Sequence, residues 1–307
     1  MGNRAAFGAT HHGGADLTPP RSSADWAGAV PGLFVVLWST GFIGAKYGLP
    51  YAGPATFLAL RFVLVIALML AIALVARARW PAPRQAAHIA VVGVLLQAGY
   101  LGGVFAAIHL GMSAGVSSLI VGLQPVLTAV LAAPMVGERL GARQWLGLAL
   151  GLAGVALVVG AKTSLAGLSW GSVGMSVLAL ASITFGTLYQ KRFCGPFDLR
   201  TGSVIQFVAA LAVMAPFAIF LEHLAIRWTG EFLFALGWLV IVLSIGAISL
   251  LMLLIRRGAA TKVASLFYLV PPVTALVAYF VFGETLSWSA LAGMAIAVVG
   301  VALVVRG

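Results

Sequence analysis

The chain has 307 residues, 62% of them hydrophobic and only 8% charged, where a soluble domain carries about 25% charged residues. That composition excludes a water-soluble globular protein and makes the lipid bilayer the expected surrounding. The net charge of +11 comes without a basic stripe or RNA-binding signature, so no nucleic-acid partner is expected. The single cysteine, Cys194, cannot form an intramolecular disulfide.

Residues 1–26 are polar, rich in Gly, Pro and Ser, and aperiodic, which predicts a disordered cytoplasmic tail. His11-His12 within it reads as a solvated pair rather than a metal site. Ten apolar runs follow, each of a length that can cross the hydrocarbon core. The first, near 27–48, carries Trp38, Ser39 and Thr40 at mid-span, and the second, near 54–76, has Arg61 seven residues from its start. The third, near 86–110, holds Gln97 and Tyr100 and ends at His109. A short break leads to the fourth, near 114–135, with Gln124 and Pro125. The fifth, near 141–161, contains Gly147 and Gly154, and the sixth, near 169–192, contains Ser182, Thr184, Phe185 and Tyr189. The seventh and eighth lie near 199–221 and 232–255, the latter with Ser244. The ninth, near 259–282, carries Tyr268, Pro271 and Pro272, and the tenth ends near 305.

Lysine and arginine set the orientation. With the N-terminus inside, 14 of the 18 basic residues fall in inside segments, and Lys46, Lys162 and Arg227 fall outside. This bias predicts that both termini are cytoplasmic. Seven of the eight tryptophans sit at or near span ends, as an interfacial belt requires, and Trp38 is the exception.

The halves repeat. Pro125, Gly137-Glu138, Leu140, Gly147 and Gly154 recur as Pro271, Gly283-Glu284, Leu286, Gly293 and Gly300, every pair offset by 146 residues. Upstream, Gly41, Lys46 and Phe62 meet Gly186, Lys191 and Phe207 at an offset of 145. Tandem copies with five helices each must insert in opposite senses. The expected fold is therefore an all-α membrane protein of ten transmembrane helices in two inverted five-helix repeats, residues 27–162 and 163–307. Such repeats build secondary transporters, with substrate bound where the repeats meet.

The doubled pattern of Pro, Gly-Glu, Leu and spaced Gly-Val-Ala-Leu resembles the EamA branch of the drug/metabolite transporter superfamily over residues 27–305. The Trp38-Ser39-Thr40-Gly41-Phe42 segment and overall layout are similar to its YddG-type exporters of aromatic amino acids. The resemblance implies a bacterial inner-membrane carrier, with spans 1–4 and 6–9 around a central cavity and spans 5 and 10 at the periphery. It also implies amino acids, aromatic and other apolar ones first, as the exported substrate. Export of another small metabolite or a drug is the alternative in the same class, and a non-transporting membrane scaffold the alternative from another.

No Gly-rich nucleotide loop is present, and no cluster suits an enzyme, a metal or a cofactor. The seven acidic residues all lie in the tail, in loops or at span ends. A proton- or sodium-coupled carrier keeps such a group at depth, so a facilitator or exchanger is expected, and a neutral cavity suits a zwitterion. The candidate substrate-binding residues are Trp38, Ser39, Thr40, Gln97, Tyr100, Gln124, Phe185, Tyr189, Ser244 and Tyr268. Gln97 and Gln124 each offer donors and an acceptor to an ammonium and a carboxylate, although bonds between helices would use the same groups. Trp38 and the other aromatics offer stacking surfaces. Arg61 reads either as a side chain reaching back toward the outer interface or as a carboxylate clamp or outer-gate charge. Pro125 and Pro271/Pro272 occupy matching places in the repeats and read as kinks, either hinges of a gate or static bends. Oligomeric state is left open, a monomer included.

Overall fold

A computed structural model of the chain describes residues 22–136, 141–160, 169–247, 250, 267–284 and 287–306. Residues 1–21, the Gly137-Glu138-Arg139-Leu140 motif, Lys162, residues 251–266 and the side chain of Tyr268 lie outside the described residues. Among the described residues regular structure is helical, apart from one isolated antiparallel bridge between Ala52 and Ile226.

The helices, in order, are α1 (Ser22–Gly48), α2 (Pro54–Val75), α3 (Pro83–His109), α4 (Ala114–Val121), α5 (Gln124–Val136) and α6 (Ala142–Gly160). They continue with α7 (Trp170–Phe193), α8 (Leu199–Phe220), α9 (Gly230–Ala247), α10 (Val270–Phe282) and α11 (Trp288–Arg306). Six of them, α1 to α3 and α7 to α9, are long and apolar enough to cross a membrane, and the rest are shorter apolar helices. Long apolar runs become helices because backbone groups in hydrocarbon must bond within their own segment. Polar residues set the boundaries. Ser113 Oγ accepts from Val116 N at the start of α4, Ser169 and Ser172 cap each other at α7, and Thr229 Oγ1 accepts from Phe232 N at α9. Gly283, at φ 64°, ends α10 in the left-handed conformation.

The structure departs from the expected elements in three places. First, the described part of α1 opens at Ser22, so residues 22–26, expected in the tail, are helical. Second, the prolines restart helices instead of bending them. α4 stops at Val121, Gly122 and Leu123 close a tight turn onto Ser118 and Ile120 carbonyls at 2.8 and 3.2 Å, and α5 begins with Pro125 as its second residue. Pro271 and Pro272 likewise occupy the first turn of α10, after the 3₁₀ turn Phe267–Leu269. First-turn N–H groups have no helical partner to lose, which is why proline fits there. Third, α3 and α9 are not uniform α-helix. Val94–Leu101 and Trp238–Ala247 are π-helical, at matching places whose starts lie 144 residues apart.

The packing is reciprocal between the halves. α2 lies along α8, and α6 along α11. α3 contacts α7 and α8, as α9 contacts α1 and α2; α4 and α5 contact α7, as α10 contacts α1. The α6–α11 pair is close because it is made of glycine. A Cβ on Gly154 would sit 2.5 Å from Gly293 O and 2.5 Å from Ala297 N. One on Gly300 would sit 2.6 Å from Gly147 O and 2.5 Å from Gly151 N. The main core lies between α1, α2, α3, α8 and α9, around Phe34, Phe57, Phe62, Phe105 and Phe232. Apolar side chains cover the outside, with Trp170 94% and Trp288 88% exposed, a surface of the kind that lipid covers.

Candidate functional site

A cavity of about 350 Å³ opens between the helices of both halves, at the lower end of the ~300–1,000 Å³ range of small-molecule sites. Trp38, Gly41 and Phe42 of α1, Arg61 of α2 and Phe105 of α3 contribute from the first half. Gln124 is the first residue of α5, and Leu96, Gln97, Tyr100 and Leu101 come from the π stretch of α3. From the second half come Ile183 and Thr187 of α7, Phe207 of α8, Leu243 and Ser244 of the π stretch of α9, and Phe267 ahead of α10. Both π stretches therefore face the cavity, a common place for such irregularities.

Trp38, Phe34 and Phe267 form one aromatic cluster, with Trp38 edge-on to Phe267 at 5.2 Å. The Gln97 amide donates to Gln206 Oε1 at 3.4 Å, and the Gln124 amide to Thr187 Oγ1 at 3.2 Å. Arg61 is 5% exposed, and its Nε is buried without a hydrogen-bond partner.

A set of polar contacts joins several helices at one end of the molecule. Lys46 pairs with Glu284, which also accepts from Ala114 N at 3.4 Å, joining α1, the start of α4 and the end of α10. A carboxylate at a helix start suits the partial positive charge there. Lys46 also lies 4.7 Å over the Phe282 ring. Nearby, Glu222 accepts from Ala55 N and Thr56 N at 3.0 and 2.7 Å, and Arg227 donates to the Tyr51 and Pro50 carbonyls. Beneath this layer Phe57 packs on Phe105 and Phe232 at 5.4 and 5.1 Å, all three buried. Toward the other end, Thr187 on the cavity wall is exposed. Beyond it His88 Nδ1 and Tyr189 Oη share a hydrogen bond of 2.9 Å beside Phe193. In the loop that follows, burial pushes the Cys194 thiol up, and the hydrogen bond from Arg200 holds Asp198 below the usual carboxylate range.

The EamA-like transporter family matches the chain twice, over residues 29–160 and 167–306. The chain belongs to that family. It is 29% identical over 279 residues to the inner membrane transporter YedA of Escherichia coli K12, covering 90% of each chain. It is 28% identical over 284 residues to a probable amino-acid metabolite efflux pump of Salmonella typhimurium, covering 90% of this chain and 93% of that one. A probable terminal-alkyne amino-acid exporter of Streptantibioticus cattleyicolor is 29% identical over 293 residues, at 93% and 94% coverage. A solved crystal structure matches with a TM-score of 0.62 at 23% identity over 92% of this chain and 96% of that one, which shows a shared fold. The protein is thus an EamA-like membrane transporter.

In this EamA-like chain the structure brings Trp38, Gln97, Tyr100, Gln124, Ser244 and Arg61 together around one cavity. The Tyr268 side chain lies outside the described residues, and the remaining described candidates are absent from that lining. Ser39 Oγ donates to Val35 O at 2.7 Å and to Val270 O at 3.4 Å, fastening α1 to the start of α10. Thr40 donates to Leu37 O and accepts from Trp238 Nε1. Thr184 donates to Leu180 O at 2.7 Å, Phe185 is 53% exposed on the outer face, and Tyr189 is taken up by His88. Pro125 borders a small extension of the cavity beside Trp38 and Gly122, and Pro271 packs within reach of Gly122, whose added Cβ would lie 3.0 Å from Pro271 Cγ. Arg61 does not reach back to an interface: it is enclosed by the cavity wall, so the cavity is cationic and not neutral as expected. Sequence reasoning passed over Thr187, Phe207 and Phe267. Phe207 carried a signal, being the repeat partner of Phe62, against which it packs at 5.4 Å.

Proposed function

We propose that the protein is an inner-membrane secondary transporter that exports amino acids, aromatic and other apolar ones first, by alternating access. The observation that carries this reading is a cavity lined from both halves, with exposed Thr187 on its wall and the Lys46–Glu284 pair joining α1, α4 and α10 at the opposite helix ends. The charge bias assigns the Lys46–Glu284 end to the outside and both termini to the cytoplasm, which makes this an inward-facing state. The reciprocal helix contacts and the fixed 146-residue spacing support two inverted repeats, residues 27–162 and 163–307. In opposed repeats, the interaction that closes one face is traded for its counterpart on the other. The π stretches and the helix restarts at Pro125 and Pro271/Pro272 are the elements that shift, because their backbone is already held by fewer regular bonds.

No described residue lining the cavity is acidic, so transport runs down the substrate gradient without a titrating carboxylate in the path. The amino-acid assignment draws on the names of the Salmonella and Streptantibioticus relatives. The aromatic preference draws on the resemblance to YddG-type exporters and on Trp38, Tyr100 and Phe267 in the wall.

Cells overexpressing the protein are expected to resist toxic amino-acid analogues and to release preloaded amino acids faster. Trp38→Ala, Gln97→Ala and Gln124→Ala each lower that efflux by roughly two- to tenfold at normal expression, the size of one lost stacking or hydrogen-bonding contact. Unchanged efflux of every amino acid tested rules out the substrate assignment; faster release of another metabolite class would replace it.

A further inference from the structure

Among the described residues Arg61 is a buried cation without a counter-charge. It lines the cavity, is 5% exposed, leaves Nε unpartnered, and makes no hydrogen bond or ion pair with any described residue. The two carboxylates near the same ends of the helices are already engaged, Glu222 by the backbone of Ala55 and Thr56 and Glu284 by Lys46 and Ala114 N. A buried charge is costly unless paired, and a guanidinium is shaped for two parallel bonds to a carboxylate. Around it stand apolar and aromatic walls, Tyr100 and Trp38 among them. No described residue of the lining is acidic, so none receives an ammonium.

We infer that Arg61 is a carboxylate-binding residue of the cavity and that the cargo's ammonium group is dispensable. Resting on the transporter reading above, this makes the substrate class apolar monocarboxylates, amino acids among them, and excludes the matching amines. An amine of the same shape meets Arg61 with like charge, which aromatic faces do not offset in a low-dielectric site. An acid lacking the ammonium keeps the guanidinium contact and the ring contacts, and gives up no paired group.

The test uses the purified full-length protein with L-phenylalanine, 3-phenylpropionate and phenethylamine as matched ligands. Binding is followed by thermal stabilisation, and transport by uptake into proteoliposomes. Phenylalanine and 3-phenylpropionate are expected to stabilise the protein and to compete with each other, and phenethylamine to do neither. Arg61→Gln weakens binding of both acids by roughly 10- to 100-fold, the size of a charged hydrogen bond, and Arg61→Lys restores part of it by keeping the charge without the fork. Should Arg61→Gln fail to fold, the wild-type ligand series still decides. Binding of phenethylamine as tight as that of 3-phenylpropionate, no binding by either acid, or acid binding unaltered in a folded Arg61→Gln protein would overturn the inference. Acid binding that needs Arg61 but yields no transport leaves the carboxylate site standing and removes the exporter reading. Transport of phenylalanine unaffected by Arg61→Gln does the reverse.

Discussion

Hydroxyl groups within these helices divide from amides by what they can reach. Ser39, Thr40 and Thr184 bond to carbonyls three or four residues back, at 2.6–2.7 Å, so a hydroxyl at mid-span satisfies itself and says little about a cavity. Gln97 and Gln124 have longer arms and two-sided amides, and both reach across to another helix at the cavity wall. Glu284 holds Lys46 and the start of α4 together, and in the proposed cycle it is the residue that keeps the outer end closed. Glu284→Gln keeps the shape and removes the charge. It is expected to shift the population toward outward-open by roughly tenfold, the size of one charged hydrogen bond. A cysteine introduced at exposed Thr187 should then react more slowly with a charged thiol reagent from the inside; an unchanged rate would show that the pair does not hold the seal. At this scale the sequence disclosed Trp38, through its displacement from the belt, and Arg61, through its depth. It did not disclose Thr187 or Phe267, because an ordinary threonine or phenylalanine in an apolar run carries no mark of the direction it faces.

Element positions were far more legible than element geometry. Apolar runs broken by polar residues located most of the described helices to within a few residues, because the requirement to satisfy backbone groups in lipid leaves few alternatives. The prolines located the helix restarts, yet a proline at the second position of a new helix and one inside a kinked helix leave the same trace in sequence. The π stretches of α3 and α9 left none: they arise from how each helix fits its neighbours. The α6–α11 pair is where sequence and geometry agree most fully, since Gly147, Gly154, Gly293 and Gly300 define the repeat and make the contact. Gly300→Val drives a branched side chain toward Gly151 N, where even a Cβ would lie at 2.5 Å. Overpacking of this kind costs about 1–3 kcal/mol and should appear as a lowered Tm in detergent. Gly174→Ala has nothing within 4 Å of its added Cβ and should leave Tm nearly unaltered, so equal Tm values for the two variants would deny the close packing.

For the whole molecule, charge distribution and internal repetition carried the reading. The proposed orientation rests on the 14 basic residues assigned to the inside, and two successive family matches fall on the two halves. The electrostatics of the cavity could not be anticipated this way, because burial of Arg61 depends on α2 being packed against α8 and facing inward. Alternating access requires the outer seal to open in every cycle. With Cys194 replaced by Ser, Lys46→Cys and Glu284→Cys place two thiols across that seal, and a bifunctional thiol reagent can bridge them. Cross-linking should stop amino-acid efflux from cells, cleavage of a reducible bridge should restore it, and either single cysteine should be insensitive. Efflux that continues with the seal fully cross-linked would contradict transport through this cavity.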